Sequence, residues 1–158
     1  MTRFAELLRT LASSGVEFIL VGGVAAVAHG SPRSTQDVDV VYRRDARNLA
    51  LLTSALLPYQ PYLRGAPPRL PFRFDVETLQ SGLNFTLTTS LGSIDLLGEI
   101  AGVGNFDDLL PRSISIDVFG VSCKVVDLDT LIQAKRAAGR PKDLETVAEL
   151  ETLRLRKK

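Results

Sequence analysis

The sequence predicts an α+β domain, and three observations point there. A β-rich apolar run over residues 16–21 ends on Gly22-Gly23 and a short stretch of Val and Ala. A second apolar run carries two aspartates one residue apart, Asp37-Val38-Asp39. Apolar residues at helical spacing open the chain and close it, with further strand-like runs between them. At 158 residues the chain is read as one domain, long enough to bury roughly two-thirds of its unfolded surface.

Composition narrows the function classes. Nineteen basic and eighteen acidic residues leave a net charge of +1, so no global field recruits nucleic acid. One Cys and one His exclude an intrachain disulfide and a zinc set, and a reducing compartment follows. No apolar run approaches the ~18 residues of a membrane span and no signal-peptide core opens the chain, so the expected location is cytoplasmic, with no membrane partner.

In chain order, Phe4, Leu7, Leu8 and Leu11 mark a helix over 3–13 that Gly15 ends. Residues 16–21 read as a central strand covered on both faces. The segment 24–29 is a brief small-residue helix ending at His29. That histidine is either a catalytic base or a helix-terminal group bonded to a carbonyl, the second being favoured. Residues 30–35 form a loop.

In the strand over 37–42, alternation aims Asp37 and Asp39 the same way, with Cα atoms about 6–7 Å apart. Two unpaired parallel carboxylates are costly to bury, and a hard divalent cation such as Mg²⁺ removes that cost. A solvated edge strand explains the same text equally well. Gly22 and Gly23 tip the balance, because glycines there let the backbone come close to a ligand and expose N–H groups to phosphate oxygens. Arg33 precedes Asp37 by four residues and could pair with it or touch a triphosphate.

Asp45 caps a packing helix through Leu57. Residues 58–71 hold five of the eight prolines and read as a surface loop, whose aromatics and arginines could close over a substrate. Two strands follow over 83–89 and 93–97, the second with Asp95 alone among apolar residues. Such a carboxylate needs a partner or a metal, so Asp95 is the expected third ligand, ahead of Asp75, Glu77 and Glu99. Residues 114–126 form a hairpin about Gly120, with Cys123 buried and unreactive. The segment 127–158 is helical, broken at Gly139.

Gly22-Gly23 and Asp37-Val38-Asp39, at this spacing and with Arg33 and Thr35 between, resemble the signature of the polymerase-beta-like nucleotidyltransferase superfamily. The fuller text resembles its small bacterial members, grouped with AbiEii/AbiGii-type toxins and minimal nucleotidyltransferases. Gly92-Ser93-Ile94-Asp95-Leu96 resembles the element bearing the third carboxylate, and residues 131–144 resemble the C-terminal motif. The resemblance implies a mixed sheet flanked by helices with further helices at the C-terminus. It implies catalytic and metal-binding roles for Asp37, Asp39 and Asp95, with Mg²⁺ or Mn²⁺ as cofactor. Gly22, Gly23, Ser31, Arg33, Ser34, Lys135 and Lys142 would hold the nucleotide, and Arg140 with Asp143 would fix a helix corner. The implied activity moves a nucleoside monophosphate from an NTP to a hydroxyl of RNA such as tRNA, a protein or a small molecule. The alternatives are a catalytically silent nucleotide- or protein-binding member of a toxin–antitoxin pair, with a cognate toxin or antitoxin as partner, and a purely structural domain.

Overall fold

The computed structural model describes residues 2–156. Helix α1 (Phe4–Ser13) buries Leu7, Leu8 and Leu11 and leads into β1 (Phe18–Val21), all four of whose residues are buried. Helix α2 (Gly22–Ala28) begins two residues earlier than the apolar pattern suggests, because Gly22 and Gly23 themselves form its first turn. After the loop comes β2 (Asp37–Tyr42), then α3 (Ala46–Leu56), whose first turn is closed by the Asp45 side chain accepting from the Asn48 N–H at 2.7 Å.

The proline-rich stretch is only in part the surface loop expected of it. A 3-10 turn (Leu57–Tyr59) and a two-residue strand, β3 (Tyr62–Leu63), join it to the sheet. Edge strands tolerate proline nearby because half of their N–H groups need no ladder partner. The Tyr62 hydroxyl donates to the Pro67 carbonyl and its ring meets Phe72 edge-on, which folds the rest of the stretch back upon itself.

Helix α4 (Val76–Ser81) is capped by Asp75, which accepts from the Thr78 N–H at 2.8 Å and is held below its usual pKa by that bond. Strands β4 (Phe85–Thr89) and β5 (Gly92–Leu97) form a hairpin. A small ribbon, β6 (Glu99–Ile100) with β7 (Gly104–Asn105), and helix α5 (Phe106–Leu109) follow. Strands β8 (Ser113–Val118) and β9 (Val121–Val126) form the hairpin expected about Gly120. Asp127 caps α6 (Leu128–Ala138), Gly139 ends it with φ +68°, and α7 (Pro141–Arg156) closes the described chain.

Among the described residues the main sheet has seven strands in the order β3-β4-β5-β2-β1-β9-β8. It is mixed: β2 runs parallel to β5 and β1 parallel to β9, while the other neighbours are antiparallel. The two strands that carry or deliver the site, β1 and β2, lie at its centre, so the solvated-edge reading of Asp37 and Asp39 is excluded. Their apolar residues, including Ile19, Leu20, Val38 and Val40, are fully buried, which makes the platform rigid. No helix of the described residues is long and apolar enough to cross a membrane.

A buried polar clamp ties α3 to this platform. The Asn48 side chain accepts from the Glu17 N–H at 2.7 Å and donates to the carbonyls of Glu17 at 2.9 Å and Arg43 at 2.8 Å. Asn48→Ala would orphan three backbone groups at a residue only 1% exposed. The expected cost is roughly 2–4 kcal/mol, read as a lower urea midpoint; an unchanged midpoint would show that the clamp is energetically idle.

Candidate active site

The parallel register of β2 and β5 sets Asp39 beside Asp95 and Asp37 beside Ser93. Register neighbours in a sheet point to the same face and alternate residues share it, so the three carboxylates gather on one side. Asp39 also faces Val21 across β1, and the chain turns into α2 at Gly22, directly against it. A Cβ on Gly22 would lie 2.1 Å from Asp39 Oδ2, and its φ of +64° is left-handed, so glycine is required here for space and for conformation. A Cβ on Gly23 would lie 2.6 Å from Thr35 Oγ1, whose hydroxyl donates to the Asp37 carbonyl at 3.2 Å. The Gly-Gly turn is thus moulded around the acid pair and its loop.

Asp39 is the most perturbed member. Removal from water is the largest cause, followed by the charge of Asp95, which is also within hydrogen-bonding reach, and by that of Asp37. Lys135 opposes them, and together they push the Asp39 carboxyl up to about 7. Its Oδ1 is buried with no hydrogen-bond partner.

The proline-rich stretch supplies the counter-charge. Arg64, directly after β3, places Nη2 at 2.9 Å from Asp95 Oδ1 and Nη1 at 3.8 Å from Asp37 Oδ2. Its backbone N–H donates to the Thr86 carbonyl at 2.9 Å, and Nη2 donates to the Leu87 carbonyl at 2.7 Å. This residue escapes a reading of the sequence, where it is one arginine in a loop. The only hint is an arginine next to the strand-like pair Tyr62-Leu63 in a chain whose acids need a cation.

Asp143 is buried at the α6–α7 corner and accepts from Arg140 Nε at 2.6 Å and Nη2 at 3.2 Å, with Lys135 Nζ 3.6 Å away. The Arg140 bond, more than any other contact, holds the Asp143 carboxyl below its ordinary value. The expected corner pair is therefore present. Arg33 makes a two-pronged bond to Glu149 of α7, at 2.6 and 2.9 Å, and not the pair with Asp37 that sequence spacing allows; the loop folds toward α7 and leaves Asp37 to Arg64. His29 is buried, with Nε2 donating to the Val126 carbonyl at 2.8 Å, the helix-terminal role expected of it. Cys123 is buried and its thiol is raised to about 11, chiefly by loss of solvent. Glu99 lies exposed on β6, and neither it nor Asp75 nor Glu77 lines the clefts at the acids.

Two clefts meet at Asp39. One, of about 210 Å³, is mostly apolar, with Val21, Leu97, Ile100, Val126, Leu131 and Ala134 among its walls. The other, of about 370 Å³, gathers Gly23, Ser31, Arg33, Ser34, Thr35 and Lys142. Asp39, Lys135, Arg140 and Asp143 line both. Every residue proposed from sequence to hold a nucleotide thus borders one or both of these clefts.

The donor set fits a hard cation, because it consists of carboxylate oxygens and two of them, Asp39 Oδ1 and Asp95 Oδ1, are buried without a hydrogen bond. Among the described residues no group of three or more His, Cys, Asp or Glu side chains is drawn tightly enough to cage a metal unaided. An ion here would complete its shell with water and phosphate oxygens, as Mg²⁺ commonly does.

No family model matches the chain, and no curated protein matches it. Solved structures do. The chain is similar to a protein of Thermotoga maritima described as a candidate nucleotidyltransferase, with a TM-score of 0.58 and 15% identity, covering 96% of each chain. It is also similar to an antigenic nucleotidyltransferase-like protein of Paracoccidioides brasiliensis, with a TM-score of 0.56 and 15% identity, covering 94% of this chain and 72% of that one. At this identity the likeness is one of fold, and the fold is nucleotidyltransferase-like.

Two outcomes follow from the acid cluster. A carboxyl whose folded pKa lies near 7 against the ordinary 3.8 makes the folded state the better proton binder between those values. The Asp39 contribution to the stability of the metal-free protein is therefore fully present below about pH 4 and is lost as pH rises through about 7. Asp39→Asn should remove most of this slope and raise the metal-free melting temperature at pH 8 by a few degrees, roughly 2–4 °C per kcal/mol recovered; parallel pH profiles for variant and wild type would refute the assignment. Gly22→Ala should destabilise by at least roughly 1–2 kcal/mol from backbone conformation alone, and wild-type stability by chemical denaturation would contradict the close approach to Asp39.

Proposed function

We propose that the chain is a metal-dependent nucleotidyltransferase that moves an NMP from an NTP to a hydroxyl acceptor, releasing pyrophosphate. The observation that carries this reading is the gathering of Asp37, Asp39 and Asp95 on one face of the sheet, Asp39 and Asp95 in register and each with a buried oxygen lacking a hydrogen bond, with Asp39 bordering a cation-lined cleft. Asp37, Asp39 and Asp95 would hold the divalent ion, Mg²⁺ or Mn²⁺, which when bound neutralises charge at the α-phosphate and lowers the pKa of an attacking hydroxyl.

The other steps belong to side chains of this protein. Ser31, Ser34, Arg33 and Lys142, with the backbone at Gly22 and Gly23, hold the triphosphate, and Lys135 screens its charge from the Asp39 side. The acceptor oxygen attacks the α-phosphorus, the bond to the bridging oxygen breaks, and the electron pair leaves with pyrophosphate. Asp95 takes the hydroxyl proton. Arg33 reaches the phosphates with the part of its guanidinium that Glu149 leaves free.

One observation favours a second reading, a catalytically silent nucleotide- or protein-binding member of a toxin–antitoxin pair. Arg64 already bonds Asp95, so the acids have a cation of their own. Melting-temperature shifts with NTP and divalent ion, but no transfer, would support this alternative.

Incubation with α-labelled NTPs, Mg²⁺ or Mn²⁺, and RNA, protein or small-molecule acceptors should yield labelled product. Asp37→Asn and Asp39→Asn should each lower that yield by at least about 100-fold with circular dichroism unchanged. A variant as active as wild type would remove the acids from the reaction.

A further inference from the structure

We propose that Asp143 is a positioning residue that acts through Lys135: it holds the lysine's ammonium at the wall shared by the two clefts, off Asp39 and available to a polyphosphate. The inference rests on the nucleotide reading above and adds the residue that keeps one of its cations in place.

Three observations carry it. The first is surplus. Asp143 lies in the first turn of α7 and is almost wholly buried. Arg140 alone satisfies it, donating from Nε to Oδ2 at 2.6 Å, from Nη2 to Oδ1 at 3.2 Å and from the backbone N–H to Oδ2 at 3.3 Å. The helix corner is complete with that one cation, yet Lys135 Nζ lies 3.6 Å from Oδ1.

The second is the length of that contact. At 3.6 Å the two charges attract, but the separation is too long for a hydrogen bond. Lys135 is therefore tethered without giving up its three N–H donors, and a quarter of its side chain is exposed at the cleft wall.

The third is a competing acid. Asp39 borders both clefts together with Lys135, and its Oδ1 is buried without a hydrogen bond. The charge of Lys135 acts on Asp39 as well as on Asp143, lowering the pKa of each. Among the described residues, however, Lys135 forms its ion pair with Asp143 and none with Asp39. A flexible four-carbon stem lets the ammonium follow the stronger attraction. Asp143, itself pinned by Arg140 to the start of α7, is the fixed charge that draws the lysine away from the acid cluster.

The test is isothermal titration calorimetry of inorganic triphosphate with Mg²⁺ into the full chain. Lys135→Gln should weaken binding by at least about ten-fold. Asp143→Asn should weaken it by at least about five-fold, although it takes a negative charge from the cleft wall. The double variant should bind no more weakly than Lys135→Gln alone, because Asp143 then has no lysine to hold. A residue serving only the helix corner would lower the melting temperature and leave the affinity unchanged or higher. Binding by Asp143→Asn as tight as that of wild type, or losses that multiply in the double variant, overturn the role of Asp143 and leave the transfer reading standing. A Lys135→Gln variant that binds like wild type does the same. No triphosphate bound by any form overturns both. Should Asp143→Asn not fold, Asp143→Glu decides, since it keeps a charge for Arg140 while moving the carboxylate by one methylene. It should lose at least about three-fold in affinity, and nothing further beside Lys135→Gln; wild-type affinity for Asp143→Glu overturns the role.

Discussion

Three like charges are forced together by backbone register. Asp39 and Asp95 occupy facing positions of two parallel strands, and such strands are only about 4.8 Å apart. Two ionised carboxylates at about 4 Å repel by roughly 4 kcal/mol at an effective dielectric of about 20, a large share of the stability of any domain this size. Neither strand can shift to relieve this, because a slip of one residue would turn the buried Val38, Val40, Ile94 and Leu96 outward. Hydrophobic packing fixes the register, and the register fixes the repulsion.

The surrounding residues answer that strain in different ways. Asp39, largely removed from water, takes up a proton more readily than an ordinary carboxyl. Arg64 neutralises part of the charge on Asp95 and Asp37. Lys135 contributes from α6, but Asp143 shares it, and Arg140 in turn satisfies Asp143. This arrangement keeps Lys135 at the cleft wall without a full ion pair to any site carboxylate. The Arg33–Glu149 bond ties the loop after α2 to α7, so both walls of the polar cleft are joined through one helix.

What could be read from the sequence is what local periodicity encodes. The alternation of Asp37 and Asp39, the cap at Asp45 and the hairpin about Gly120 are near-neighbour effects and lie where they were expected. Asp95 was legible for another reason: a lone acid among Ile94, Leu96 and Leu97 has no cheap place in an apolar strand. Its exact partner was not legible, since parallel pairing across more than fifty residues leaves no local trace. Arg33 met Glu149 and not Asp37 for the same reason, as a helix 116 residues away competes for it. Arg64 was hidden because a two-residue edge strand between prolines has too little period to register.

Two clefts reach one of these acids, Asp39, from different sides. The polar cleft brings cations and hydroxyls to Asp39, and the apolar cleft reaches the same carboxylate from the other side. Lys135 and the Asp143–Arg140 pair line both and form the boundary between them. Gly22 also borders the apolar cleft beside Asp39, and any side chain there would collide with Asp39 itself. Glycine at this turn therefore keeps the junction of the two clefts open, while the proton affinity of Asp39 and the ion pair from Arg64 to Asp95 ease the repulsion there.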